Sequence, residues 1–217
     1  MTGKNDVCVS VLAGVPEGGR GLVRDLRVRW ALEEAGVPYS VRKLPWMKER
    51  PADYLAEHPF GQVPSYREGE VSMFETGAIV LHIAERSEAL LPRDPHGRGR
   101  AISWVFAALN SVELDAWPYE MVDYFGPGDW IAGAKAAFEA QTRRRLDRVA
   151  DYLGDKGWLE GTFTAGDLMM VSVLRRIPEL LADYPTLAAY MARGEARPAF
   201  RRALAAQLAD FDDQQAA

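Results

Sequence analysis

Two short stretches carry most of the chemistry in this sequence. Gly61-Gln62-Val63-Pro64-Ser65-Tyr66 is followed, after a polar turn, by Val71-Ser72-Met73-Phe74-Glu75-Thr76-Gly77-Ala78-Ile79. Glu75 offers a carboxylate and Thr76 a hydroxyl, and apolar Ile79 and Ile83 mark a helix that opens at this pair. A helix start carries unpaired backbone N–H groups and the positive end of the helix dipole, so it attracts an anion. Val63-Pro64 reads as a strand start, one of the few places where a sheet tolerates proline. The chain before Pro64 can therefore lend its own N–H and C=O to an extended peptide. The three offers suit one small molecule, with an α-carboxylate on Thr76, an α-amine on Glu75 and a peptide backbone against Val63. Taken alone, Glu75-Thr76 is equally a plain helix start, because threonine and acidic residues favour first turns.

The elements that must position these groups follow from pattern and punctuation. Val7 to Leu12 is a β-branched run and reads as a buried strand. A Gly/Pro loop covers Ala13 to Gly21. A helix is predicted from about Leu22 to Ala35, with Leu22, Leu26 and Trp30 on one stripe, closed by Gly36 and Pro38. Tyr39 to Leu44 alternates as a second strand, and Pro45 to Glu57 is irregular with one helical piece. Arg67-Glu68-Gly69-Glu70 forms a hairpin turn into a returning strand, Val71 to Phe74. The order βαβ then ββα, with no cysteine pair, is the layout of a thioredoxin-like domain. A boundary is predicted with this α+β domain at 1–87, a punctuated linker at 88–97 and an all-α helical bundle at 98–217. The helical patterns run from about 98 to 124 (bent or broken at Trp117-Pro118), 130 to 153, Thr164 to Arg176, 186 to 193 and 198 to 210, before a frayed tail at 214–217. Thr164 and Asp167 have capping-box spacing, and Phe163 and Leu168 hold the places of a hydrophobic staple.

Composition removes several classes. A net charge of −5 argues against a broad nucleic-acid surface, whose phosphates need a basic face. No apolar run reaches the roughly 20 residues that a membrane-spanning helix needs, and Met1 to Asp6 lacks a signal-peptide core, so a cytoplasmic location is expected. The single cysteine, Cys8, excludes an intramolecular disulfide and a Cys-x-x-Cys redox centre. His58, His82 and His96 lack metal-ligand spacing, and no metal is expected. Arg143, Arg144, Arg145 and Arg148 are interleaved with Asp147 and Asp151, as on a solvated helix face.

The Val-Pro strand, the hairpin and the Phe-Glu-Thr-x-Ala-Ile run together resemble the glutathione-binding half of glutathione transferases. Arg27-Val28-Arg29-Trp30-Ala31-Leu32-Glu33-Glu34 upstream and the Phe-Thr-x-x-Asp-Leu cap downstream extend that resemblance over essentially the whole chain. It implies a two-domain architecture and a cis Pro64 that turns the preceding backbone outward. It also implies glutathione as cosubstrate on Gln62, Val63, Pro64, Glu75 and Thr76. Gln62 stands where the family often places a polar group near the glycine carboxylate, or is simply solvated. A small apolar electrophile is expected in a cleft between the halves, lined by Trp46, Trp104, Ala108, Ser111 and Tyr119, each of which could instead be core. A two-fold homodimer is implied as well, the first domain of one subunit against the second domain of the other.

Catalysis is the part of the pattern that does not match. Thiolate, not thiol, is the nucleophile, so the site must lower a thiol pKa of about 8.5. The family uses a Tyr near the end of the first strand, or a Ser or Cys just before the first helix. Here those places read Val11-Leu12-Ala13 and Gly21-Leu22-Val23-Arg24-Asp25. The backbone N–H groups of Leu22 and Val23, with Arg24 or Arg20 for charge, are the remaining candidates for the sulfur. Ser10 and Cys8 lie within the first strand and read as buried structural residues. The expected function is conjugation of glutathione to a small electrophile. A non-catalytic glutathione-binding or protein-interaction module, or a glutathione-dependent isomerase or dehalogenase, are the alternatives.

Overall fold

Val7–Leu12 forms β1, one of the two inner strands of a four-stranded sheet ordered β2-β1-β3-β4, with β2 at Tyr39–Leu44, β3 at Ser65–Glu68 and β4 at Val71–Phe74. In this computed structural model, which describes residues 6–125 and 128–212, β1 pairs parallel with β2 and antiparallel with β3, and β3 pairs antiparallel with β4. The inner position explains the composition of β1: Val7, Val9 and Val11 are buried, as a strand flanked on both sides requires. Cys8 is only half-buried, contrary to the expectation, because its strand neighbours on either side are the exposed Ser40 and Arg67.

Helix α1 runs Asp25–Ala35, α2 Ala52–Glu57 and α3 Thr76–Ala84. α1 starts three residues later than its apolar stripe suggests. Glu17–Gly19 forms a short 3₁₀ turn, and the Leu22 N–H donates to the Gly19 carbonyl at 3.1 Å, so Leu22 belongs to the turn ahead of the helix. Gly36 ends α1 at φ 66°, the left-handed conformation that glycine adopts without steric cost.

The chain falls into two compact units, Met1–Glu88 with Arg197–Ala217, and Ala89–Ala196. Sequence periodicity groups the last helix, α9 (Pro198–Asp212), with the other helices, but its contacts lie with α1. Phe200 meets the Trp30 indole edge-on at 4.9 Å between ring centroids, Asp210 pairs with buried Arg29 at 2.5 Å, and Arg197 forks onto Glu34 at 2.5 and 2.7 Å. The Gln207 amide donates to the Val23 carbonyl at 3.1 Å and to Asp25 at 2.8 Å. Helical period alone cannot say which neighbour covers an apolar face.

The second unit holds α4 (Pro95–Ala107), a π-helical turn at Ala108–Glu113, α5 (Leu114–Met121), a 3₁₀ turn at Val122–Phe125, α6 (Trp130–Leu153), α7 (Ala165–Leu174), a further 3₁₀ turn at Leu180–Asp183 and α8 (Pro185–Glu195). The irregularity expected at Trp117-Pro118 sits one turn earlier, because Pro118 stays inside α5 and the preceding turn widens instead. α7 packs closely on α4: a Cβ on Gly166 would lie 2.5 Å from the Trp104 Cβ, so this position admits only glycine. The capping box is present, with the Thr164 N–H donating to Asp167 at 2.9 Å and the Gly166 N–H to the Thr164 hydroxyl at 3.2 Å. The expected tail at 214–217 lies outside the described residues.

Candidate functional site

Strand register brings the two chemical stretches together. Ser65 pairs with Phe74 across β3 and β4, so the chain just before Ser65 runs beside the chain just after Phe74. Gln62, Val63 and Pro64 therefore lie next to Glu75 and Thr76 in the first unit. The Val63–Pro64 peptide bond is cis. Pro64 is buried, Val63 half-buried and Gln62 exposed. Among the described residues no hydrogen bond uses the Val63 main chain.

Glu75 is the N-cap of α3, exposed, at φ 69° and ψ 116°. This is a left-handed backbone outside the small region that ordinary side chains share with glycine. Such conformations cost of order 1–3 kcal/mol and cluster at ligand sites. The Glu75 side chain makes no capping bond, so the first N–H groups of α3 have no side-chain acceptor. That contrasts with α7, where Thr164 and Asp167 fill the equivalent places. Thr76 is buried, and its hydroxyl accepts from Arg27 of α1 at 3.5 Å. Arg27 is itself buried, which sets a cation beneath the α3 start, where an anion gains most.

Behind the site lie two residues whose place in the fold the sequence does not show. Tyr54 of α2 is fully buried, and its hydroxyl donates to the Gln62 carbonyl at 2.5 Å. His58, at the end of α2, lies among Tyr54, Phe60 and Phe74, with its ring centroid 5.2 Å from that of Phe74. Burial lowers the His58 pKa, against a raising influence from Glu75, so the ring favours its neutral form. A His-Pro pair in a loop gives no local sign of this burial; only the packing of α2 on β4 creates it.

The sulfur candidates fare differently. The Leu22 N–H, committed to Gly19, is not available to a thiolate, and that assignment is corrected. Val23 and Arg24 sit in the half-buried turn immediately before α1, with Arg24 at its N-cap and the Val23 carbonyl held by Leu26 and Gln207. Arg20 lies over the Phe211 ring at 5.8 Å.

Of the residues expected to line an electrophile pocket, Trp46 belongs to the first unit and is largely exposed, and the other four belong to the second. There Ala108 and Tyr119 are core residues, while Ser111 is half-exposed on the π turn. The Trp104 indole N–H donates to Glu160 at 2.6 Å, and Arg100 and Tyr152 converge on the same carboxylate at 2.8 Å each. Burial works to raise the Glu160 pKa, yet Arg100, Trp104 and Tyr152 together bring it down to about 2. A cavity of about 640 Å³ in the first unit, bounded by Arg29, Glu33, Tyr39, Arg202 and Asp210, shares no residue with the Val63–Thr76 site. Its charges satisfy one another through the Arg29–Asp210 and Arg202–Glu33 pairs. Among the described residues, no group of three or more His, Cys, Asp or Glu could hold a metal ion.

Residues 18–85 match the family described as Glutathione S-transferase, N-terminal domain. Glutathione S-transferase-like protein gedE of Aspergillus terreus is 30% identical over 104 residues, covering 45% of this chain and 46% of that protein. Glutathione S-transferase 4 of Zea mays is 38% identical over 64 residues, 28% of each chain. The chain thus spans less than half the length of these curated relatives. The fold is shared with a glutathione transferase family member from Pseudomonas fluorescens with two glutathione bound (TM-score 0.79, 18% identity, 94% of each chain). It is also shared with a glutathione transferase from Methylococcus capsulatus (TM-score 0.77, 23% identity, 93% of this chain and 98% of that one).

Proposed function

We propose that the chain is a member of the glutathione S-transferase family, that it binds glutathione at the Val63–Thr76 site and that it adds the glutathione thiolate to a small apolar electrophile. One observation carries this reading: the Ser65–Phe74 register sets a main chain without hydrogen-bond partners beside the uncapped start of α3. The γ-glutamyl carboxylate takes the Thr76 hydroxyl and the α3 N–H groups, with Arg27 beneath. The γ-glutamyl amine takes Glu75. The cysteinyl N–H and C=O pair with Val63, and Gln62 reaches the glycine carboxylate. The thiol is left facing the turn before α1, where the Val23 N–H and the α1 dipole favour the anion, with Arg24 as the adjoining charge. Trp46, exposed in the same unit, offers apolar surface for the electrophile.

A second reading has its own support. Neither Tyr, Ser nor Cys stands at the end of β1 or ahead of α1, and the Leu22 N–H is spent on Gly19. A module that binds glutathione without turnover is consistent with both facts. Retention on immobilised glutathione, followed by conjugation assays over a panel of aryl and alkyl electrophiles, separates the readings. Retention with conjugation supports the transferase, and retention without it supports the module. A chain that is not retained sinks both.

A further inference from the structure

We propose that Ser10 and Tyr54 are positioning residues, whose hydroxyls form a buried relay that holds the Val63 main chain in place for the tripeptide. The proposal rests on the glutathione reading above.

The β1–β3 ladder pairs Val7 with Glu68, Cys8 with Arg67 and Val9 with Tyr66. The next pair would be Ser10 with Ser65, and there the pattern changes. The Ser65 N–H donates not to a main-chain carbonyl but to the Ser10 hydroxyl, at 2.6 Å. Ser10 Oγ lies 2.7 Å from Tyr54 Oη, and the Tyr54 hydroxyl donates to the Gln62 carbonyl at 2.5 Å. An amide N–H can only donate and a carbonyl can only accept, so the two ends fix the direction of every proton between them. Tyr54 spends its one proton on Gln62, and Ser10, having accepted from Ser65, spends its own on Tyr54.

The relay therefore clips the residues on either side of Val63-Pro64, Gln62 and Ser65, to β1 and α2. It lets the chain leave the sheet one residue early without stranding a buried amide, and this departure is what leaves the Val63 N–H and C=O unused. Ser10 is 2% exposed and Tyr54 0%, so both links are made away from bulk water. Both hydroxyls are consumed in this way and neither is available to a thiol.

The test uses the full chain with Tyr54→Phe, which keeps the ring, and Ser10→Ala, together with the double variant. Glutathione is titrated calorimetrically, and amide chemical shifts of Val63 and Thr76 are followed in ¹H–¹⁵N spectra. The expected result is a rise in Kd of about tenfold in each single variant, the size of one lost hydrogen bond. In the double variant the loss should be no larger than in the worse single one, since one relay is broken either way. The glutathione-induced shift at Val63 should shrink while that at Thr76 persists. Wild-type Kd and Val63 shifts in both variants, or equal losses at Val63 and Thr76, would overturn the proposal. Should Tyr54→Phe fail to fold, Ser10→Ala decides by the same two readouts. A wild-type chain that binds no glutathione overturns the underlying reading and this proposal with it. Binding by wild type with unaffected variants overturns the proposal alone.

Discussion

At the residue scale, Glu75 combines backbone strain with an exposed carboxylate. It sits at φ 69° at the tip of α3, where its own side chain caps nothing. Strain held without a local return points to a ligand. Glu75→Gly removes both strain and carboxylate, so its thermal midpoint should be equal to or above wild type, while glutathione affinity falls about tenfold or more. Differential scanning fluorimetry with a titration checks both halves; a destabilised variant with intact affinity would contradict them. Glu160 gives a pH test. Its folded pKa of about 2 lies below the ordinary 4.5, so its ion cluster contributes stability above about pH 4.5 that is lost as pH falls toward 2. Glu160→Gln should be less stable than wild type at pH 7, and the gap should close through that window in urea melts at stepped pH. The helix start at Glu75-Thr76 was legible in the sequence because it depends on adjacent residue types. Arg27 beneath Thr76 and the Ser10–Tyr54 relay were not, because they depend on contacts between residues 49 and 44 positions apart.

At the element scale, local signals were read well and long-range ones poorly. β1, β2 and α6 have their expected bounds, because alternation and helical period are properties of a short window. The start of α1 was misplaced because Leu22 fits the apolar stripe, yet its N–H is captured by the preceding turn. α7 is the clearest case of agreement. Asp167, fully buried, accepts from the Leu159 and Thr164 N–H groups and the Tyr190 hydroxyl, each at 2.9 Å. Burial pushes its carboxyl up, and these bonds pull in the opposite direction. Asp167→Ala leaves those donors without an acceptor, and unsatisfied buried donors cost about 1–3 kcal/mol each. Chemical denaturation should therefore show a loss of about 3 kcal/mol or more, with Asp167→Asn intermediate. A loss below about 1 kcal/mol would mean that the cap does not hold α7.

At the scale of the whole molecule, the proposed glutathione site lies within the first unit, and a two-fold homodimer is proposed from the family resemblance. Sedimentation equilibrium should return twice the chain mass, and a monomer at all concentrations would refute the dimer. Among the described residues no helix is long and apolar enough to cross a membrane. The central claim, that the Val63 main chain and the α3 tip together hold the tripeptide, is tested most directly by a crystal structure grown with glutathione. The cysteinyl N–H and C=O should lie within about 3.2 Å of the Val63 main chain and the γ-glutamyl carboxylate on Thr76. Glutathione bound elsewhere, with Val63 and Thr76 untouched, would contradict it.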